Sequence, residues 1–310
     1  MENSTKNRAM KIVIVVLNWN GGKFISKCLD SLKRLEVGNN DVEVVIVDNA
    51  SADNSVAMIK KQYPQFHLIN NSKNLGYAEG NNVGIRLALG RGADWIWVVN
   101  PDIEVRPDSL KKLIEFASGH PKAGILGSKV YFAPGFEFHK KRYKKADLGK
   151  VIWYAGGRVD WDNIQSVHWG MDEVDSGKYD TATKVGFVTG ASMLLRNEML
   201  GEVGLLDSDY FLYFEENDLC QKAVRFGWEL WYVPQSIVWH ANAQSTVTGS
   251  NLVDYYTTRN RMLFGMRWAP LKSKLALLRE SLQLVFRGRL WQKRGIADFY
   301  LGRFGKGSHA

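Results

Sequence analysis

Cysteine is almost missing from this chain, with only Cys28 and Cys220 among 310 residues. Two cysteines exclude a disulfide framework, and each lies beside a leucine in a helix-patterned segment, which fits core packing. No stretch reaches 18 consecutive apolar residues, so no membrane-spanning helix is expected. The first ten residues are polar and lack the apolar centre of a secretory signal. No Cys/His spacing suits structural zinc, and no G-x-S-x-G elbow is present. The glycine-rich stretch NLGYAEGNNVG at 74–84 has no Gly-Lys-Ser/Thr ending and does not follow the first strand, so it is no phosphate loop. Its glycines are read as allowing a helix and a ligand to approach closely.

What is present supports a globular body. Hydrophobic residues make up 45% and charged residues 24%, enough for one large domain with or without an appendage. The net charge is +9, and residues 267–310 hold ten Lys or Arg against two acids, Glu280 and Asp298. The rest is nearly neutral, which describes a compact body with a basic appendage and argues against nucleic acid as a partner. A reducing, cytoplasmic setting fits this composition.

Hydrophobic patterning predicts strands over 11–18, 42–47, 67–69, 95–99 and 124–129, alternating with helices over 22–35, 53–62, 78–90 and 107–118. This is the signature of a parallel, doubly wound α/β sheet. Polar residues gather after the strands, at 18–20, 48–51 and 100–102, and ligands of open α/β sheets bind beyond the carboxyl ends of strands. A basic, turn-rich insertion at 136–150 precedes Trp153, Trp161 and Trp169, read as hairpins or a substrate-facing loop. Strand character returns over 185–195, followed by a helix over 215–226 and strands 229–233 and 237–240. The body is expected to end near 245. Residues 246–310 then form a helical extension in which Leu271, Leu275, Leu278, Leu282 and Val285 make an amphipathic stripe among basic residues. That stripe fits packing on the body or a second subunit, and it also fits contact with a membrane surface.

Three groups of residues could carry chemistry. Asp102 follows the apolar strand WIWVV, where it suits either a turn or a hard divalent cation such as Mg2+ or Mn2+ held against phosphate. Glu215, Glu216 and Asp218 crowd into FEEND, as helix-start acids or as a general base with its supports. His240 ends an apolar run, as a core histidine or a second ligand beside Asp102.

The runs VVLNWNG (15–21), VIVDNAS (45–51), NLGYAEGNN (74–82), WVVNPD (97–102), VTGASMLLR (188–196) and FLYFEENDLCQKAVRFGW (211–228) together resemble family 2 inverting glycosyltransferases of the GT-A fold, especially their rhamnosyltransferase-like branch. The resemblance spans about residues 11–240. It implies a GT-A catalytic domain over 1–245, with a nucleotide-binding half (about 11–130) and an acceptor-side half (about 131–245). It places Asp48 at the nucleobase, and Asn18, Asn20, Asn74, Gly76, Asn81 and Asn100 around the nucleotide. Asp102 matches the metal-binding acid, His240 a late metal ligand, and Asn100 stands where relatives carry the first acid of Asp-x-Asp. Glu216 falls at the catalytic base, one methylene longer than the usual Asp, with Glu215 and Asp218 supporting it. The implied reaction is a single inverting displacement from dTDP-L-rhamnose, or from a UDP-hexose, onto a hydroxyl of a glycan or lipid-linked saccharide. Trp153, Trp161 and Trp169 are candidates for an acceptor platform. A nucleotide-sugar pyrophosphorylase fits less well, because LNWNGGKF is a poor activation loop. A non-catalytic carbohydrate-binding protein would bind the same ligand without turnover.

Overall fold

The computed structural model describes residues 9–139, 141–242 and 250–309. The run KIVIVVLN forms β1 (Lys11–Asn18), buried along nearly its whole length. Branched side chains suit a pleated surface, and burying each Val or Ile is worth about 1.5–3 kcal/mol. That places β1 at the centre. β2 (Asp41–Asp48) and β4 (Trp95–Val99) flank it in parallel, and β3 (His67–Asn70) continues outside β2. Three helices make the crossovers: α1 (Ile25–Lys33), α2 (Ser55–Gln62) and α3 (Gly76–Gly90). A Cβ on Gly80 would lie 2.7 Å from Leu17, and one on Gly84 2.5 Å from Val15. These two glycines therefore let α3 approach the sheet, where the sequence reading expected approach to a ligand.

The other half of the sheet is mixed. β6 (Ala123–Phe132) runs parallel to β12 (Glu229–His240), but β11 (Ser192–Arg196) lies antiparallel between β4 and β6. Short antiparallel strands β5 (Ile103–Val105) and β10 (Thr183–Lys184) pair with β12, and β7 (Ile152–Tyr154) pairs with β6. The sheet order is β10-β12-β6-β11-β4-β1-β2-β3. The expected α/β architecture is present, with its parallel character concentrated in β3-β2-β1-β4. Expected strands 229–233 and 237–240 are one strand, β12, with a register shift between Val233 and Ile237. Pro234, which has no N–H for the ladder, sits in that bulge. β8 (Gly157–Asp160) and β9 (Gln165–His168) form the expected hairpin. α4 (Ser109–Ser118) and α6 (Glu215–Arg225) match their predicted helices, while α5 (Asn197–Val203) had no sequence signal of its own. Cys28 and Cys220 are fully buried free thiols, as packing residues would be.

Three helices follow: α7 (Asn251–Trp268), α8 (Leu271–Arg287) and α9 (Leu290–Tyr300). The expected boundary near 245 lies outside the described residues, as does the beginning of the chain up to Arg8. Met262, Leu263 and Phe264 of α7, Leu277 of α8 and Ile296 of α9 form a second core with Tyr210 and Ile164 of the body. The stripe on α8 faces outward. Leu271, Leu275, Leu282 and Val285 are 72%, 59%, 60% and 43% exposed. The buried face is instead Ser273, Leu277 and Ser281, whose small hydroxyl residues admit close packing. So the reading in which this stripe packs on the body is overturned; only Leu278 of the five touches the second core. Among the described residues no helix is long and apolar enough to cross a membrane.

Candidate functional site

Parallel register aligns the strand ends. β1 and β2 set Asn18 opposite Asp48. Asn18 Nδ2 donates to Asp48 Oδ1 at 2.7 Å and to Ser55 Oγ at 2.8 Å. Ser51 donates to the same carboxylate through its N–H (3.0 Å) and hydroxyl (2.6 Å). Both Asn18 and Asp48 are buried, so this network braces the loop after the strands. Asn20, at φ 51°, continues it by accepting from the Ala52 N–H at 2.8 Å.

Above these ends opens a cavity of about 650 Å³. Asn20, Asn74, Gly76, Asn100, Asp102, Glu215, Glu216 and His240 all line it. The other expected residues, Asn18, Asp48, Asn81 and Asp218, are buried behind its wall. Asn81 donates to the Tyr77 carbonyl at 2.9 Å within α3. Further lining residues, Asn49, Tyr77 and Lys23 among them, carry no role in the sequence analysis although each sits inside a run quoted there. Asn49 donates to Asn74 Oδ1 and to the Gly76 carbonyl, both at 2.9 Å, and so ties β2 to the start of α3. The Tyr77 hydroxyl donates to the Gly190 carbonyl at 2.7 Å and lies 3.1 Å from Asn100 Oδ1. Burial, reinforced by Glu215, Glu216 and Asp102, keeps that phenol protonated. Lys23 lines the mouth and brings a positive charge to it.

The backbone register of β5 on β12 sets His240 opposite Ile103, next to Asp102. His240 Nε2 thereby lies 3.2 Å from Asp102 Oδ1, with both side chains largely buried. The indole of Trp153 packs edgewise between His240 and His168, at 4.7 and 4.8 Å. Burial pushes His168 down to about 4, so it is neutral at physiological pH. His168 is a wall residue that its isolated position in the sequence did not reveal. Of the three tryptophans expected as an acceptor platform, Trp153 lines the cavity, whereas Trp161 stacks on Phe264 and Trp169 packs over Gly156.

The pair suits one hard cation. Adjacent ligands of an octahedral ion at about 2.1 Å stand about 3.0 Å apart, close to the Asp102–His240 spacing. Among the described residues no cluster of three or more His, Cys, Asp or Glu is poised to hold a metal. Among the described residues Asp102 and His240 would be the two ligands, and other positions would fall to phosphate and water.

The acidic turn is built under strain. Phe211, Tyr213 and Phe214 adopt φ of 62°, 70° and 75°, a region that residues with a Cβ rarely occupy. Two devices hold them. Gly76, itself at φ 80°, leaves room where a Cβ would come 2.5 Å from Phe211, and the Tyr77 N–H donates to the Phe211 carbonyl at 2.6 Å. From the other side Asn260 of α7 donates to the carbonyls of Tyr210, Leu212 and Tyr213 at 2.7, 2.8 and 3.0 Å. Its own carbonyl accepts from Arg259 Nε at 2.9 Å. The fully buried Arg259 guanidinium also donates to the carbonyls of Asp209, Tyr210 and Gly305.

The turn delivers Glu215 and Glu216 to the cavity at the first turn of α6. Burial raises both carboxyls, and their mutual repulsion adds to it for Glu215, which stays well above the carboxylate range. Glu216 is pushed up to about 7. Glu215 Oε2 is a buried oxygen without a hydrogen-bond partner, as is the hydroxyl of Tyr213. Asp218 points away, into the interface with α7. It accepts from Tyr210 Oη (3.0 Å) and Trp268 Nε1 (2.8 Å) and pairs with Lys222 (2.8 Å).

The family model described as "Glycosyl transferase family 2" matches residues 12–204. An N-acetylglucosaminyl-diphospho-decaprenol L-rhamnosyltransferase of Mycobacterium tuberculosis is 28% identical over 242 residues, covering 75% of this chain and 76% of the relative. Among solved structures, GalNAc-T7 with UDP, GalNAc and Mn2+ superposes with a TM-score of 0.69 at 15% identity, over 94% of this chain and 54% of that one. A mannosyltransferase from Pyrobaculum calidifontis with GDP-Man and Mn2+ gives 0.56 at 14% identity, over 96% and 75%. These two likenesses concern the fold. The chain belongs to glycosyl transferase family 2 and is a glycosyltransferase with a GT-A-like fold.

Proposed function

We propose that the 650 Å³ cavity binds a nucleotide-diphospho-sugar beside a divalent cation, and that Glu216 is the base that activates an acceptor hydroxyl. One observation carries this: the Asp102–His240 pair and Glu216, drawn from three distant parts of the chain, line one space. Asp102 and His240 would hold Mg2+ or Mn2+, which neutralises the diphosphate and stabilises it as a leaving group. Lys23 adds positive charge at the mouth, and Asn20, Asn74 and Asn100 supply hydrogen bonds to the donor. Glu216, raised to about 7, is basic enough to take a proton from a hydroxyl near neutral pH. Glu215 stays protonated beside it and keeps a second negative charge out of the site.

The transferred unit in this reading is a hexosyl group, and the acceptor a glycan or lipid-linked saccharide. Two donors are set against each other. The M. tuberculosis relative, a rhamnosyltransferase by name, supports dTDP-L-rhamnose. The GT-A-like fold, shared with proteins solved with UDP and with GDP-Man, leaves a UDP-hexose as the second donor. A panel including dTDP-L-rhamnose, UDP-glucose and UDP-N-acetylglucosamine, assayed for thermal stabilisation and hydrolysis with and without Mn2+, tests the reading. Stabilisation by at least one donor, dependent on Mn2+, is expected. No stabilisation by any member would sink it.

The outward face of α8 belongs to the same proposal. Leu271, Leu275, Leu282 and Phe286 stand exposed among Lys272, Lys274, Arg279 and Arg287. Apolar side chains flanked by cations suit an anionic membrane surface, where a lipid-linked acceptor would reside.

A further inference from the structure

A second cavity, of about 440 Å³, lies between α6, β9 and the three C-terminal helices. Glu216 and Tyr213 line both cavities, so the proposed base stands where the two meet. We infer that this second cavity is the acceptor site, and that it takes a neutral saccharide whose hydroxyl is presented to Glu216. The inference rests on the donor reading above.

The walls define the ligand class. Their charged side chains are Glu216, Arg261 and Glu280. Arg261 is committed: it forms a two-pronged pair with Glu280 at 2.7 and 2.9 Å and donates through Nε to the Asn163 carbonyl. A wall whose cation is already neutralised has little attraction for phosphate or carboxylate, whereas hydroxyl and amide groups remain to meet sugar hydroxyls. Thr258, Gln165 and Gln292 supply such groups, and Phe214, Met262 and Leu284 supply apolar surface for the faces of a pyranose ring. The volume lies within the range of ordinary small-molecule sites, about 300–1,000 Å³.

The Tyr213 hydroxyl points the same way. It is buried and has no partner. An unmet buried hydroxyl is costly, so a small turn of the Tyr213 side chain, which lines both cavities, would let it meet an arriving ligand hydroxyl. In the resulting step the acceptor oxygen attacks the anomeric carbon and forms the new C–O bond. Its proton passes to Glu216. The bond from the anomeric carbon to the phosphate oxygen breaks, and the electron pair leaves on the nucleoside diphosphate.

The test uses the full chain, a donor that stabilises it, and octyl β-D-glucoside and octyl N-acetyl-β-D-glucosaminide as acceptors. At least one glycoside should accelerate nucleotide release by wild type and appear in the product. Leu284→Trp fills the cavity far from the donor side; its acceptor KM should rise at least tenfold while donor-induced thermal stabilisation is retained. Tyr213→Phe should lower kcat/KM for the acceptor about tenfold, which keeps the proposal testable if the tryptophan variant misfolds. Unchanged acceptor KM in Leu284→Trp together with unchanged acceptor kcat/KM in Tyr213→Phe, or no effect of either glycoside on wild type, would overturn the assignment. Failure of the donor reading is seen separately, as the absence of nucleotide-sugar binding before any glycoside is added.

Discussion

Removing the side chain of Asn260 should disable the enzyme without touching either cavity. Asn260 serves three carbonyls of the turn that carries Glu216. In Asn260→Ala the Tyr210 carbonyl keeps Arg259 Nη2 at 3.0 Å, while the Leu212 and Tyr213 carbonyls lose this donor. An unsatisfied buried acceptor costs about 1–3 kcal/mol, so these two partly buried ones cost at most roughly 2–6 kcal/mol. Against this stands the strain of Phe211, Tyr213 and Phe214 at positive φ, roughly 3–9 kcal/mol in total at 1–3 kcal/mol each. The two sums are of one size, so the turn should relax once the clamp is gone. A shift of about 1 Å in Glu216, the proposed base, is enough to lower turnover about 100-fold. The assay is kcat on the best substrate pair, with donor affinity and thermal unfolding measured in parallel. We expect kcat to fall about 100-fold, donor affinity to change much less, and Tm to drop. Asn260→Asp keeps the shape but faces the carbonyls with acceptors, so it should be no better than alanine. The pH–rate profile should move as well, because the environment that raises Glu216 is disturbed. Wild-type kcat in both variants would refute the clamp.

Four other outcomes follow from the structure. Glu216 is raised to about 7, so the folded state holds its proton more tightly than the unfolded state; stability from this group is full below about pH 4.5 and is lost as pH rises through 7. Glu216→Gln should therefore gain Tm relative to wild type at pH 8 but not at pH 4.5, while turnover falls about 10²–10⁴-fold; equal Tm differences at both pH values would contradict this. In wild type, kcat/KM should rise with pH through about 7, and a flat profile from pH 5.5 to 8 would argue against Glu216 as base. Asp102→Asn should abolish the Mn2+-dependent part of donor stabilisation, read by thermal shift, and an unchanged Mn2+ effect would remove Asp102 from the metal site. Leu275→Ser with Phe286→Ser should reduce co-sedimentation with vesicles containing anionic lipid, and equal partitioning, or loss of a dimer in their place, would end the membrane assignment.

The parts of this site that were legible in sequence are those where polar residues interrupt apolar strands. Asn18, Asp48 and Asn100–Asp102 each follow a buried apolar run, and parallel register brings their backbone ends together. Their individual roles were less legible. Asp48 and Asn18 spend their polar atoms on each other and on Ser51 and Ser55, which depends on side-chain directions that strand patterning does not report. The β5–β12 pairing that sets His240 beside Asp102 was invisible, because a three-residue strand carries no periodic signal. Tyr77, Asn49 and His168 each needed a partner distant in sequence before their placement on the wall could be seen.

The stripe on α8 shows where apolar patterning stops short. Apolar spacing identifies a face but not which neighbour it meets, and here the small residues Ser273 and Ser281 pack inward beside Leu277. The sequence made the extension look like an attachment because its charge differs from that of the body. Its buried residues argue otherwise. Arg259, a fully buried cation, reaches at once to the acidic turn through Asp209 and Tyr210 and to the far end of the chain through Gly305. Asn260 fixes the strained carbonyls, and Trp268 and Arg267 hold Asp218 at the base of α6. A helix that holds the turn bearing the proposed base, and whose neighbours enclose a second cavity on the other side of it, would belong to the catalytic unit under this proposal. Shortening the chain before α7 should therefore cost turnover even where the sheet and the donor cavity survive.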